Sequence, residues 1–129
     1  ILERKAFTVS VADEAHLVEA DYVGLGSGND VPDKLERSGF HVTRSEFVDA
    51  PVIDELPLVL ECRLVSYDPD SHFMLGQIVN AGADEAILDE TGMIDPAKLK
   101  PITFDPVNRT YWSLGNKVGN AFSDGSKLK

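Results

Sequence analysis

Four side chains in this sequence stand where chemistry is possible: Ser10, Lys34, His72 and Tyr111. His72 follows the polar turn Asp68-Pro69-Asp70-Ser71 and opens an alternating run that ends at Asn80. A histidine at the mouth of a strand is partly wet, so it can hydrogen-bond a ligand or cap the turn by bonding a nearby backbone group. Lys34 comes after a loop carrying Gly24, Gly26 and Gly28. An ammonium there is a point-charge partner for a phosphate; the other reading makes Asp33 and Lys34 the first turn of a short helix opened by Pro32. The glycine spacing adds little, because no strand precedes it and no long helix follows as a dinucleotide-binding turn requires. Ser10 presents a hydroxyl on the outward side of a strand, where it serves a ligand or only solvent. Tyr111 adjoins Trp112, and in an extended segment the two point to opposite faces, so only one can be internal. Core or interface packing suits both rings.

Other chemistries are excluded by context. Cys62 has no basic neighbour on its own face and no histidine at metal-ligand spacing, so it reads as a packing residue rather than a nucleophile or zinc ligand. The acidic run of Asp84, Glu85, Asp89 and Glu90 lacks the alternating ladder and mid-loop glycine of a calcium loop. With 22 acidic against 12 basic residues the net charge is -10, and the basic residues are scattered singly, which leaves nucleic acid no footprint. One cysteine cannot form an intrachain disulfide and fits a reducing, cytoplasmic compartment. No apolar run approaches a membrane span, and no basic-then-apolar leader pattern opens the chain.

The elements that must position these residues read as one domain, since 129 residues at 43% hydrophobic suffice for a single core. A strand over Ala6 to Val11 puts Phe7, Val9 and Val11 inward and Thr8 and Ser10 away from the core. An amphipathic helix follows from about Asp13 to Val23, with Ala15, Val18, Tyr22 and Leu25 on one face and His16 off it, at the surface. Edge structure starts at Phe47. A strand from Pro57 turns Leu58, Leu60, Cys62 and Leu64 inward and Glu61 and Arg63 outward. His72 to Asn80 then reads as the central strand, apolar on both faces, with Gly76 marking a bulge, a bend or the close approach of a ligand. Asp95-Pro96 caps a short helix, Pro101 to Phe104 forms a strand, and the tail combines an aromatic strand with a glycine-broken helix. This order supports a mixed, β-rich domain and no more.

Taken together, Asp70-Ser71-His72, Leu75-Gly76-Gln77-Ile78-Val79, Tyr111-Trp112-Ser113-Leu114-Gly115 and Val118-Gly119-Asn120-Ala121-Phe122 resemble the flavin reductase-like family. The resemblance implies a mainly β fold, an antiparallel Greek-key split β-barrel with a few short helices, that binds FMN and pairs as a homodimer. It implies an FMN-dependent oxidoreductase passing hydride from NADH or NADPH to an acceptor; the alternatives are an FMN-binding electron carrier and a flavin-free interaction domain. By the same resemblance Ser10 takes the place of an asparagine near the flavin. Ser27-Gly28 with Asp33-Lys34-Leu35 brings Lys34 near the FMN phosphate or the nicotinamide cofactor, with leucine replacing an aromatic residue. His72 lies on the nicotinamide side, and Tyr111 near the flavin or the dimer contact. The resemblance further implies that the domain, residues 1–129, lacks its N-terminal strands, leaving an open barrel edge that further residues or a partner would cover.

Overall fold

The computed structural model describes all 129 residues, Ile1–Lys129. Its spine is an antiparallel three-stranded sheet in the order β1-β4-β5, with β1 at Ala6–Ser10, β4 at Leu58–Tyr67 and β5 at Met74–Ala83. Two hairpins accompany it: β2 (Val42–Arg44) with β3 (Pro51–Ile53), and β6 (Ile102–Asp105) with β7 (Thr110–Ser113). The helices are short: α1 spans Leu17–Gly24, α2 Lys34–Ser38 and α3 Pro96–Leu99.

β4, not the segment after His72, is the central strand. It is flanked on both sides, by β1 with Ser10 opposite Val59 and by β5 with Tyr67 opposite Met74. β5 pairs with β4 alone, and its Leu75 and Ile78 are exposed, as is Phe73 just before it, to 66%. Apolar groups on both faces therefore did not mean cover on both faces. The alternation of a strand records that its faces are apolar, not what lies against them.

Within β4 the outward placement of Glu61 also fails. Glu61 is buried, 5% exposed, beside buried Cys62. Val59, two residues earlier on the same face, is buried too at 8%, so both faces of β4 are covered here; the bulge alongside lies in β5, where Val79 is the extra residue between Asn80 opposite Glu61 and Ile78 opposite Cys62. The buried carboxylate is satisfied by Asn80, whose Nδ2 donates to Oε2 at 2.5 Å.

The predicted helix starts instead as a 3-10 turn over Glu14–His16, capped by Asp13, and only then becomes α1. Because a 3-10 turn winds at three residues per turn rather than 3.6, the register rotates, and Val18 and Leu25 end up exposed. His16 moves inward. Its Nδ1 lies 2.7 Å from Asp13 Oδ1, and its ring sits 6.1 Å from that of Phe40. The short helix α3 forms as its sequence dictates, with Asp95 Oδ1 accepting from Ala97 N and Pro96 at the first position. The tail after β7 is exposed and irregular, with a turn and then a final 3-10 turn at Asp124–Leu128 in place of the predicted helix.

Gly76 packs against a neighbour. It lies opposite Leu64, next to a second irregularity between Leu64 and Ser66, and a Cβ on it would meet Phe7 Cζ at 2.4 Å. The Phe7 ring thus occupies the space a side chain would need. Gly76→Ala is expected to destabilise the fold by about 1–3 kcal/mol through overpacking. Urea unfolding checks this, and Phe7→Leu in the same chain should recover part of the loss.

Candidate functional site

The loop between α1 and α2 is built by Ser27. Its carbonyl accepts from Asp30 N and Val31 N, both at 3.1 Å, and its Oγ accepts from Asn29 N at 3.1 Å. These bonds fold the chain back so that Lys34, the first residue of α2, reaches Gly26, whose carbonyl accepts from Nζ. The backbone N–H groups of Gly26, Ser27 and Gly28 donate to no group in the chain. No atom would come within 4 Å of a Cβ on Gly24, Gly26 or Gly28, so this stretch is open to approach. Next door, Asp33 and Arg37 neutralise each other at 2.7 Å, and Asp33 holds the guanidinium even further above its ordinary range. Lys34 has no carboxylate partner of its own. An ammonium beside three free amides is a donor set suited to an anion.

Tyr111 reaches the same region. Its hydroxyl donates to Asp21 Oδ1 at 2.6 Å, which ties β7 to α1 one turn before the glycine loop, and its ring rests 5.6 Å from Phe104. The bond to Asp21 favours the protonated phenol and pushes its pKa up, with partial burial adding to the effect. Trp112, on the other side of the strand, is exposed and donates Nε1–H to Thr110 Oγ1 at 2.9 Å.

Ser10 closes β1 at the end that runs through Asp13 into α1. Its Oγ is buried and has no hydrogen-bond partner, although the alternation turned this side chain away from the core. An orphaned buried hydroxyl is uncommon and marks a place where a partner is wanted.

His72 stands elsewhere. It is exposed, in the left-handed region at φ 57°, and its Nδ1 lies 3.0 Å from Tyr67 Oη. Asp68 organises the turn beneath it, accepting from Asp70 N at 2.9 Å and from Ser71 Oγ at 2.7 Å. The bond from Ser71 holds the Asp68 carboxyl below its usual range. Since Ser10 faces Val59 and His72 adjoins Tyr67, the eight residue steps along β4 from Val59 to Tyr67, at ~3.3 Å each, separate the two by roughly 26 Å. The structure therefore gathers Lys34 and Tyr111 around the end of α1, leaves Ser10 at that end of the sheet, and sets His72 at the other.

Some contributors escaped the sequence reading. Tyr67 drew no attention there, although a residue five before His72 across a tight turn is a natural cross-strand partner. Asp21 gave no signal, because its partner is ninety positions away. His41 and Glu55 clasp the ends of the β2–β3 hairpin, with Nδ1 2.5 Å from Oε1, and the imidazole and backbone N–H of His41 hold Glu55 below the ordinary carboxylate range. The Cys62 thiol is buried and pushed up by desolvation, so it is no ready nucleophile. No helix is long and apolar enough to cross a membrane.

Comparison with known proteins gives this geometry its context. The family model described as flavin reductase like domain matches residues 1–103. The structure of flavoredoxin from Desulfovibrio vulgaris (Miyazaki F) is 36% identical, with a TM-score of 0.91 over 97% of this chain and 67% of that one. Flavoredoxin from Methanosarcina acetivorans is 31% identical, with a TM-score of 0.89 over 100% of this chain and 68% of that one. An FMN-binding domain of a flavin reductases-like enzyme from Shewanella baltica OS155 shares the fold, with a TM-score of 0.73 at 19% identity over 88% of this chain and 62% of that one. The chain spans about half the length of the curated relatives it matches. Mostly strands with few short helices, its architecture is that of the flavin reductase-like split barrels. Matched by the family model over most of its length, the chain belongs to the flavin reductase-like domain family.

Proposed function

We propose that the protein binds FMN and passes hydride from NADH or NADPH through it to an acceptor, as an oxidoreductase of this family. The observation that carries the reading is the anion-ready loop: free amides at Gly26, Ser27 and Gly28 beside the unpaired ammonium of Lys34. A phosphate of FMN matches that donor set. The orphaned Oγ of Ser10 is a second point of fit, offering one hydrogen bond to a polar edge of the flavin. The flavin, when bound, supplies the redox chemistry, while the chain's residues bind, orient and exclude water. Tyr111 acts through Asp21 by bracing α1, from which the loop departs. His72, exposed at a sheet end, is suited to holding the dinucleotide by a hydrogen bond, because hydride transfer depends on ring placement more than on acid catalysis.

The roughly 26 Å between Ser10 and His72 favours a second reading, in which the protein carries electrons on FMN and has no nicotinamide site. A homodimer reconciles the first reading with this distance, with His72 of one copy serving the flavin of the other. The exposed apolar residues Phe73, Leu75 and Ile78 beside His72 supply a surface for that pairing. Light scattering of the flavin-loaded protein at micromolar concentration is expected to give twice the chain mass; a monomer removes the shared site.

Two substitutions separate the roles. Lys34→Ala is expected to weaken FMN binding by about 1.5–3 kcal/mol, the worth of a hydrogen bond to a charged group, read by flavin fluorescence titration. Unchanged affinity takes Lys34 out of the site. His72→Ala should slow reduction of bound flavin by NADH or raise the dinucleotide Michaelis constant while FMN affinity holds. If neither NADH nor NADPH reduces the wild-type flavin in stopped flow, the electron-carrier reading stands instead.

A further inference from the structure

The three histidines of this chain are partnered in two different ways. Nδ1 of His16 meets the Asp13 carboxylate at 2.7 Å, and Nδ1 of His41 meets the Glu55 carboxylate at 2.5 Å. His72 alone is paired with a neutral group, the Tyr67 phenol at 3.0 Å. An ionised carboxylate only accepts, so it keeps a proton on the nitrogen that faces it. A phenol can donate. Its oxygen lone pairs are drawn into the ring while the bare imidazole nitrogen is a strong acceptor, so the better arrangement runs from Tyr67 O–H to His72 Nδ1. That leaves the ring proton on Nε2, which has no partner in the chain.

The backbone is held as firmly as the ring. A non-glycine residue stays in the left-handed region only where its surroundings over-determine it. Here Asp68 takes two hydrogen bonds from the turn, Ser71 Oγ accepts from Phe73 N at 3.3 Å, and Phe73 O accepts from Asp68 N at 2.9 Å. Tyr67 and Met74 face each other at the last rung of the β4–β5 ladder, so the phenol rises from the sheet itself.

We propose that Tyr67 is a positioning residue for His72: its hydroxyl fixes the Nε2–H tautomer and aims that N–H outward, as a donor to a carboxamide or phosphate oxygen of the incoming nicotinamide dinucleotide. The proposal rests on the reading of His72 as the dinucleotide's hydrogen-bond partner. It adds a specific geometry: the N–H that His72 offers its ligand is on Nε2 and is aimed before the ligand arrives. Preorganisation of this kind lowers the ordering cost of binding and leaves the flavin site untouched.

The test uses the flavin-loaded chain labelled with 15N, at about pH 8, where an ordinary imidazole is neutral. Long-range proton–nitrogen spectra report which ring nitrogen carries the proton, with His72→Gln identifying the His72 signals and His16 and His41 as internal references. The wild type is expected to show His72 with Nε2 protonated and Nδ1 as a hydrogen-bonded acceptor. Tyr67→Phe is expected to shift the His72 ring toward a tautomer mixture and to raise the NADH Michaelis constant roughly two- to tenfold, the loss of one hydrogen bond, with FMN affinity unchanged. A proton on Nδ1 in the wild type, or ring signals that Tyr67→Phe does not move, overturns the proposal. So does a moved tautomer with an unchanged Michaelis constant. The ring-nitrogen signal needs no dinucleotide, so failure of the Tyr67–His72 bond is seen there, whereas a wild-type flavin that NADH cannot reduce tells against the proposed function instead.

Discussion

The double pairing of β4 is the constraint from which the rest of the structure follows. A strand bonded on both edges has no backbone freedom left, so each residue attached to it is fixed by register alone. One end of the ladder places Ser10 and the approach to α1; the other places the Tyr67–His72 turn. The ladder also tolerates two irregularities, at Val79 in β5 and at Val65 in β4. Covered on both faces beside Val59, β4 carries a carboxylate, Glu61, into the interior, where it would be costly unbonded, and Asn80 directly opposite is the group that makes it tolerable.

Charge is arranged with similar economy around the glycine loop. Of the lysines and arginines only Arg4, Arg37 and Arg44 meet a carboxylate, so what sets Lys34 apart is its place beside open amides. Arg37 is occupied by Asp33, whereas Lys34, one position from the same aspartate, turns to the carbonyl of Gly26. A carbonyl neutralises nothing, so the ammonium keeps its charge at the mouth of the loop. The neighbouring amides of Gly26, Ser27 and Gly28 donate to nothing in the chain, so the ammonium and these N–H groups lie together as unfilled donors.

Much of the fold was legible wherever a local rule decides the outcome. The presence of β1, the start of β4 and α3 follow from strand-forming residues, a proline at the strand start and an Asp-Pro cap, all of which act within a few residues, although the facing within β1 does not follow from its alternation, since Val9 is 45% exposed and Ser10 Oγ is buried. The misreadings share a different cause. Val79 as a bulge, the 3-10 start of α1 and the exposed face of β5 depend on what a distant segment does, and periodicity carries no record of that. At the site, Lys34, Ser10 and His72 stood out through the resemblance to the family's pattern and not through any local rule. The free amides, the orphaned hydroxyl and the Tyr67 partner did not, since a hydrogen bond left unmade, or made across a turn, follows from three-dimensional closure and not from residue type.

The contact between Tyr111 and Asp21 joins residues ninety positions apart, beside backbone bonds that already tie the approach to α1 to the approach to β6, Glu14 N to Lys100 O at 3.0 Å and Ile102 N to Ala12 O at 3.1 Å. Those bonds meet most of the loop-closure cost, so the exposed side-chain bond is a clasp added onto them and opens before they do. The helix it braces is short and lacks a fully buried residue. The Gly24–Lys34 segment thus hangs from the least cooperative part of the molecule and opens without disturbing the β4 ladder. Amide exchange in this chain should accordingly fall into two classes, slow across the three-stranded sheet and fast through α1 and the glycine loop, and an anion bound there would draw the second class toward the first.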